Sequence, residues 1–199
     1  MLKSKFSNHG LECGIDEAGR GCLAGPVTAA AVILKPNFQN SLINDSKKIS
    51  KKKREILSKI ILKNCVAFSI QNIQPKKIDE VNILNASILA MHQCLKKLTI
   101  KPDFLIVDGN KFKKFKDIPH KTIIKGDSKY LSIAAASILA KSFRDSYMNK
   151  LDKKFPKYFW FKNKGYPTFL HKEAIKKYGI TIHHRKSFKL FDEQLTIDF

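Results

Sequence analysis

The sequence lacks the features that mark membrane proteins, exported proteins and thiolate metal sites. No window reaches the roughly 18 consecutive apolar residues that a membrane-spanning helix requires, and the start, MLKSKFSN, has no signal-peptide stretch. The four cysteines form no C-x-x-C pair and have no histidine at zinc-ligand spacing, which argues against a zinc knuckle or a disulfide framework. We therefore expect a cytoplasmic protein with reduced thiols and no membrane segment.

Acidic residues are also scarce. The 199 residues include 38 Lys and Arg against 17 Asp and Glu, which gives a formal net charge of +21. Such a surface favours a polyanionic partner, and nucleic acid is the first candidate. A coding bias toward lysine explains much of the excess equally well, so the charge alone does not assign a function.

The shortage of acids makes each carboxylate informative. Most of them lie among lysines on predicted helices, where they suit exposed ion pairs or helix N-termini. Four lie instead in apolar or glycine-rich surroundings: Asp16, Glu17, Asp108 and Asp127. An aspartate before a glycine is more often a turn residue than a ligand, so only the joint pattern of the four points to a site.

Strand and helix signals alternate along the chain. Strands are predicted at 11–16, 26–34, 65–70, 104–109 and 121–126. Helices are predicted at 47–63, 78–98, 130–155 and 168–179. This alternation predicts an α/β fold with helices packed on a mixed sheet. The length fits a single domain over 1–199, with a helical portion and a tail from about residue 156.

Three of the four unusual acids lie at the ends of predicted elements. Asp16 closes the run LECGI and Asp108 closes FLIV, so both are expected where a buried strand reaches the edge of the sheet. Asp127 precedes the long helix, whose N-terminus favours a negative charge. If the four acids converge, their hard oxygen atoms select Mg²⁺ or Mn²⁺, and the arrangement is typical of two-metal phosphodiester hydrolysis.

A glycine-rich turn follows the acid pair. Gly19, Arg20 and Gly21 offer backbone N–H groups with little side chain around them, so a ribose or a phosphate could approach closely. As an isolated G-R-G sequence, a simple tight turn is the better explanation. Successive side chains of a strand point to opposite faces, so Asp16 and Glu17 can serve one site only if the chain turns there.

Long stretches of the sequence resemble the ribonuclease HII family. The motifs GIDEAGRGCLAGPVTAAAVIL, NDSKKIS, IVDGN, KGDSKYLSIAAASILAKSFRD, GYPTFLHKEAI and HRKSF follow one another across nearly the whole chain. The resemblance implies a ribonuclease H-like fold with a small helical C-terminal part. It also implies an endonuclease that hydrolyses the RNA strand of RNA:DNA hybrids and cuts 5′ of single ribonucleotides in duplex DNA, leaving 3′-OH and 5′-phosphate ends. The sequence departs from the family at Cys22, where proline is usual.

The resemblance further implies roles for individual residues. The metal-binding carboxylates of the family fall on the four acids singled out above, with Mn²⁺ or Mg²⁺ as the cofactor. Gly19, Arg20 and Gly21 match the motif that senses the ribose 2′-hydroxyl. Tyr166 matches the tyrosine that stacks at the junction between ribonucleotide and DNA.

The remaining candidates are open between two interpretations. Ser46 and Lys47 either hold backbone phosphates or belong to a solvated loop before a helix. Arg185 either contacts the DNA strand or docks the tail. The last six residues, QLTIDF at 194–199, resemble peptides that bind bacterial sliding clamps, although a disordered amphipathic end is the simpler explanation. A monomer is expected, and the alternative to an enzyme is a basic module that binds RNA:DNA hybrids without cutting them.

Overall fold

A computed structural model of the protein describes residues 2–8, 10–43 and 49–190. Its central sheet consists of β1 (Glu12–Ala18), β2 (Val27–Leu34), β3 (Cys65–Ile73), β4 (Phe104–Asp108) and β5 (His120–Ile123). The strands lie in the order β3, β2, β1, β4, β5. β2 runs antiparallel to both of its neighbours, whereas β1, β4 and β5 are parallel to one another. The predicted mixed sheet is therefore confirmed.

The described chain contains five α-helices. They are α1 (Lys51–Lys63), α2 (Pro75–Lys97), α3 (Leu131–Lys154), α4 (Trp160–Asn163) and α5 (Phe169–Tyr178). α1 begins where Ser50 caps it, with the Ser50 hydroxyl accepting the Lys53 N–H at 3.4 Å. The earlier start predicted at 47 lies outside the described residues. α2 begins three residues before its predicted start, because a proline fits the first turn of a helix.

The helices cover both faces of the sheet. Odd-numbered residues of β1, including Cys13 and Ile15, pack in one hydrophobic cluster with α2. The opposite face of the sheet packs against α3, with α1 beside it. A Cβ atom at Gly14 would overlap the backbone of Ser132, so this glycine lets α3 lie directly on the sheet. The alanine-rich start of α3 is consequently buried against β1 and β2.

The chain beyond α3 folds back onto the glycine-rich turn. Residues from α4 and α5 form a separate hydrophobic cluster with the second half of α3, centred on the fully buried Trp160. The segment after α5 then pairs with the turn, because Gly25 N–H donates to His183 O at 2.8 Å and Arg185 N–H to Leu23 O at 2.8 Å. All four cysteines are free. Within the described ranges, no helix has the length and apolar character needed to span a membrane.

Candidate active site

Asp16 and Asp108 lie side by side at one edge of the sheet. Their strands, β1 and β4, are parallel neighbours in which Ile15 pairs with Val107, so the next residue on each strand is an acid. Both acids border a cavity of about 320 Å³. Its other lining residues are Glu17, Ala18, Gly19, Arg20, Gly21, Ser137, Lys141 and Tyr166. The parallel pairing of β1 and β4 thus brings together two carboxylates that are 92 residues apart in the sequence.

Glu17 borders the same cavity as Asp16, although the two residues are consecutive on β1 and successive strand side chains point to opposite faces. Asp16 is hydrogen-bonded to Ser137 of α3, whereas Glu17 also borders a small recess beneath α2. The strand ends immediately afterwards: Glu17 N–H donates to Asp16 Oδ1 at 2.6 Å, and Gly19 has a φ of +92°. The sequence predicted that Asp16 and Glu17 can serve one site only if the chain turns after them. The chain does turn there.

The three carboxylates carry more negative charge than their surroundings compensate. Burial raises the pKa of Asp16 well above its usual range, and the charges of Glu17 and Asp108 raise it further. Burial also raises the pKa of Glu17, against the opposing effect of Arg20, which lies 3.2 Å from it. The Arg20 side chain is about half exposed (51%), so its compensation is screened by solvent. A bound cation would relieve this repulsion.

Asp127 is not among the residues that line the cavity. It is buried in a 3₁₀ turn, Gly126–Ser128, just before α3. The Gly126 N–H donates to Asp108 Oδ1 at 2.7 Å, which ties this turn to the end of β4. Asp127 therefore directly follows the residue that contacts Asp108.

The chemistry of these donors fits a hard divalent cation. Carboxylate oxygens are the ligands that Mg²⁺ and Mn²⁺ prefer, and the charge at the cavity is negative. Over residues 2–8, 10–43 and 49–190, however, no three His, Cys, Asp or Glu side chains are grouped as a preformed metal site.

Arg185 holds the glycine-rich turn from inside the protein. It is fully buried, and its guanidinium donates to the carbonyl groups of Gly19 at 2.7 Å, Arg20 at 2.7 Å and Gly25 at 2.9 Å. A guanidinium that is occupied in this way is not available to a phosphate. Of the two interpretations of Arg185, its placement favours docking of the chain end over contact with nucleic acid.

Arg144 is a second buried arginine at the turn, and the sequence analysis missed it. It donates to the carbonyl groups of Pro26 at 2.9 Å, Ala24 at 3.0 Å and Lys164 at 2.8 Å. A Cβ atom at Gly19 would overlap its side chain, which explains the glycine at that position. The signal in the sequence that could have indicated a buried Arg144 is its place in the long helix, shortly after the alanine-rich stretch that packs on the sheet.

Tyr166 forms one wall of the cavity. Its ring is 37% exposed, with Lys141 Nζ 5.6 Å and Arg144 Cζ 5.9 Å from the ring centroid. Its hydroxyl group is hydrogen-bonded to the thiol of the buried Cys22. Burial raises the pKa of Tyr166, and Cys22 adds to the effect. Cys22 thus contacts the predicted stacking tyrosine.

A chain of hydrogen bonds fixes the backbone of Tyr166. Trp160 Nε1 donates to His171 Nε2 at 3.0 Å, so the other ring nitrogen of His171 carries the proton and donates to Tyr166 O at 2.9 Å. His184 Nδ1 accepts the Thr181 N–H at 2.9 Å, so its Nε2–H points to His171 Nε2 at 3.3 Å. Both imidazoles are therefore neutral. Burial lowers the pKa of His184 to about 4.

Two sets of predicted residues fall outside the described part of the chain. Ser46 and Lys47 lie in the gap between 43 and 49, and the clamp-like peptide 194–199 lies beyond residue 190. The roles predicted for them remain predictions.

Comparison with known proteins identifies relatives over nearly the whole chain. The family model described as Ribonuclease HII matches residues 13–191. The Ribonuclease HII of Christiangramia forsetii is 60% identical over 186 residues, which is 94% of either chain. The ribonuclease H2 structure from Pyrococcus horikoshii matches with a TM-score of 0.77 at 26% identity, covering 90% of this chain and 94% of that one. The ribonuclease HII of Archaeoglobus fulgidus, solved in complex with PCNA, matches with the same TM-score at 27% identity, covering 93% and 98%.

Proposed function

Because the chain belongs to the ribonuclease HII family and is therefore a ribonuclease H endonuclease, we propose that it also cuts 5′ of single ribonucleotides in duplex DNA. The products are a 3′-OH and a 5′-phosphate, and the reaction depends on Mg²⁺ or Mn²⁺. Membership of an enzyme family sets aside the alternative of a basic module that binds hybrids without cutting them.

The observation that carries this proposal is the shared cavity of Asp16, Glu17 and Asp108, together with the raised pKa values of the Asp16 and Glu17 carboxyl groups. These three side chains are the proposed ligands of one or two divalent ions, and Asp127 is the proposed fourth. When bound, such ions activate water and stabilise the leaving oxygen of a phosphodiester. The repulsion between the acids is the physical reason why the cavity would bind a divalent ion.

The glycine-rich turn is the proposed sensor of the ribose 2′-hydroxyl. Gly19, Arg20 and Gly21 line the same cavity as the acids, and at Gly21 a Cβ atom would find no neighbour within 4 Å. A sugar can therefore approach the backbone closely at this point. The 2′-hydroxyl is both a donor and an acceptor, and it distinguishes RNA from DNA at such a contact. Arg144 and Arg185 hold the backbone of the turn in the shape that this recognition of the sugar requires.

Tyr166 is the proposed stacking platform for the nucleotide next to the ribonucleotide. Its ring is partly exposed at the cavity, and its hydroxyl and main-chain oxygen are both held by neighbours. An aromatic ring fixed in this way stacks on a base or a sugar at little entropic cost. The platform lines the same cavity as the carboxylates, so a strand stacked on it would pass close to the acids.

The test uses an end-labelled DNA duplex that contains one ribonucleotide, incubated with the protein and Mg²⁺ or Mn²⁺. We expect one metal-dependent cut on the 5′ side of the ribonucleotide and none in an all-DNA duplex. Asp108→Asn, which keeps the side-chain shape and removes a charge, should retain binding and lose cleavage. Cleavage only of long hybrids, with the single ribonucleotide left intact, would overturn the finer proposal.

The C-terminal peptide 194–199 is the proposed contact with a sliding clamp. The support is its sequence, QLTIDF, and the Archaeoglobus fulgidus relative that was solved with PCNA. Deletion of residues 194–199 should abolish co-elution with the bacterial clamp while cleavage of the duplex continues. Unchanged co-elution, or none with the full chain, would contradict this contact.

A further inference from the structure

Lys141 makes contacts that the function described so far does not use. It borders the cavity of Asp16, Glu17 and Asp108, on the wall formed by α3. Its Nζ atom lies 2.6 Å from Asp145 Oδ1 and 5.6 Å from the centroid of the Tyr166 ring. The side chain is 22% exposed, so it is packed along its length but open at the cavity.

A buried ion pair fixes the position of this lysine. Asp145 Oδ2 accepts from Arg54 at 2.8 Å, and the side chains of Arg54 and Asp145 are only 9% and 7% exposed. Arg54 also donates to the Ile49 carbonyl at 3.2 Å. Asp145 therefore cannot move to follow Lys141, and the lysine is anchored to a rigid acceptor one helical turn away.

Lys141 and Arg54 are both paired with Asp145, one on each of its carboxylate oxygens. The ammonium of Lys141 is therefore a positive charge on a cavity that the three acids also line.

We propose that the Lys141 ammonium binds a backbone phosphate of the strand that carries the ribonucleotide, at the nucleotide stacked on Tyr166. This inference rests on the proposed function of the same cavity. An ammonium has three N–H donors, and the contact with Asp145 uses one of them. Its charged end lies 5.6 Å from the centroid of the Tyr166 ring, within reach of the backbone of a nucleotide stacked there. Lys141 would thereby set the register of the strand relative to the acids.

The competing explanation is that Lys141 only neutralises Asp145. The two explanations predict different salt dependences for the binding of nucleic acid. A lysine that contacts a phosphate releases a counterion on binding, whereas an internal ion pair does not. The measurement is the dissociation constant of a fluorescent single-ribonucleotide duplex in EDTA, between 50 and 200 mM NaCl. The proteins compared are the wild type, Lys141→Gln, Lys141→Arg and Lys97→Gln.

The affinity advantage of the wild type over Lys141→Gln should shrink by about 3.5-fold over this salt range, because one phosphate contact changes the logarithmic slope by about 0.9. Lys141→Arg should restore the wild-type slope. Lys97→Gln, an exposed lysine at the end of α2, should leave it unchanged. Equal slopes for Lys141→Gln and the wild type would overturn the inference.

A second measurement locates the phosphate. Each linkage around the ribonucleotide is replaced in turn by an uncharged methylphosphonate, and binding is compared between the wild type and Lys141→Gln. At one linkage the two proteins should bind equally, because the contact is already lost; a constant ratio at every linkage would overturn the inference. If Lys141→Gln does not fold, Lys141→Met, which keeps a long unbranched side chain without the charge, takes its place in both measurements.

The inference and the proposed function fail separately. If the wild type cuts at the ribonucleotide while the salt slope and the linkage scan show no effect of Lys141, only the inference is lost. If the wild type binds but does not cut at a single ribonucleotide, the proposed function is lost. The EDTA measurements then still decide whether Lys141 touches a phosphate, since they require no cleavage.

Discussion

The guanidinium of Arg185 donates to the carbonyl oxygen of Gly19 at 2.7 Å, although the two residues are 166 positions apart. The segment after the last helix is therefore part of the construction of the glycine-rich turn. Whatever the turn recognises, its shape depends on a side chain supplied by the end of the chain.

Replacement of Arg185 should test this dependence. Arg185→Lys keeps the charge but cannot reach the three carbonyl groups together, so we expect a loss of about 3 kcal/mol in the free energy of unfolding. The ratio of cleavage between ribonucleotide-containing duplex and all-DNA duplex should fall as well. Urea unfolding and the cleavage assay measure the two effects. Lys189→Gln, an exposed change four residues later, is the matched control and should alter neither.

The two glycines of the turn should respond differently to alanine. Gly19 has a φ of +92° and lies against Arg144, so Gly19→Ala should destabilise the fold by about 2–3 kcal/mol. Gly21 has open space at its Cβ position, so Gly21→Ala should change stability by less than about 0.5 kcal/mol.

Gly21→Ala should nevertheless reduce cleavage at a ribonucleotide, because its methyl group obstructs the approach of the sugar. Thermal unfolding and cleavage assays on both variants separate the two effects. A Gly21→Ala protein of full activity would argue against recognition through the backbone at this position.

The buried histidine pair should make stability depend on pH. The pKa of His184 is about 4 in the folded protein, against about 6.5 in an unfolded chain, so the fold favours the neutral ring. The unfolded chain therefore binds more protons between these values, and stability rises with pH across the window. The contribution of His184 is fully present above pH 6.5 and is lost as the pH falls toward 4.

Urea unfolding between pH 4 and 7 measures this effect. The free energy of unfolding should fall with decreasing pH, by on the order of 3 kcal/mol from this group. His184→Gln should remove much of that slope because it has no proton to bind. Identical slopes in the two proteins would show that other groups govern the acid sensitivity.

The sequence predicted the fold class and the strand-end acids because both depend on local patterns. Apolar runs such as LECGI and FLIV show where a strand is buried and where it stops, and the acids that follow them must lie at the sheet edge. It did not show that β1 and β4 are parallel neighbours, since pairing partners and register are set by tertiary packing. The side-by-side position of Asp16 and Asp108 follows from that pairing.

The supporting residues were hidden for a different reason. A charged side chain in a sequence is normally assigned to the surface, and the buried Arg144, Arg185 and Arg54 violate that expectation. Their burial is favourable only because backbone carbonyl groups and one carboxylate meet them in three dimensions. Chain segments that are remote in sequence supply those partners, so local patterns carry little trace of them.

The most direct test of the account is a calorimetric titration of Mn²⁺ into the wild-type protein and into Asp108→Asn, without nucleic acid. Asp117→Asn, which changes an exposed acid away from the cavity, is the control. We predict saturable Mn²⁺ binding by the wild type and by Asp117→Asn, and a clear loss of affinity in Asp108→Asn. Equal binding by all three proteins, or no saturable binding by the wild type, would contradict the claim that these crowded carboxylates hold the catalytic ion.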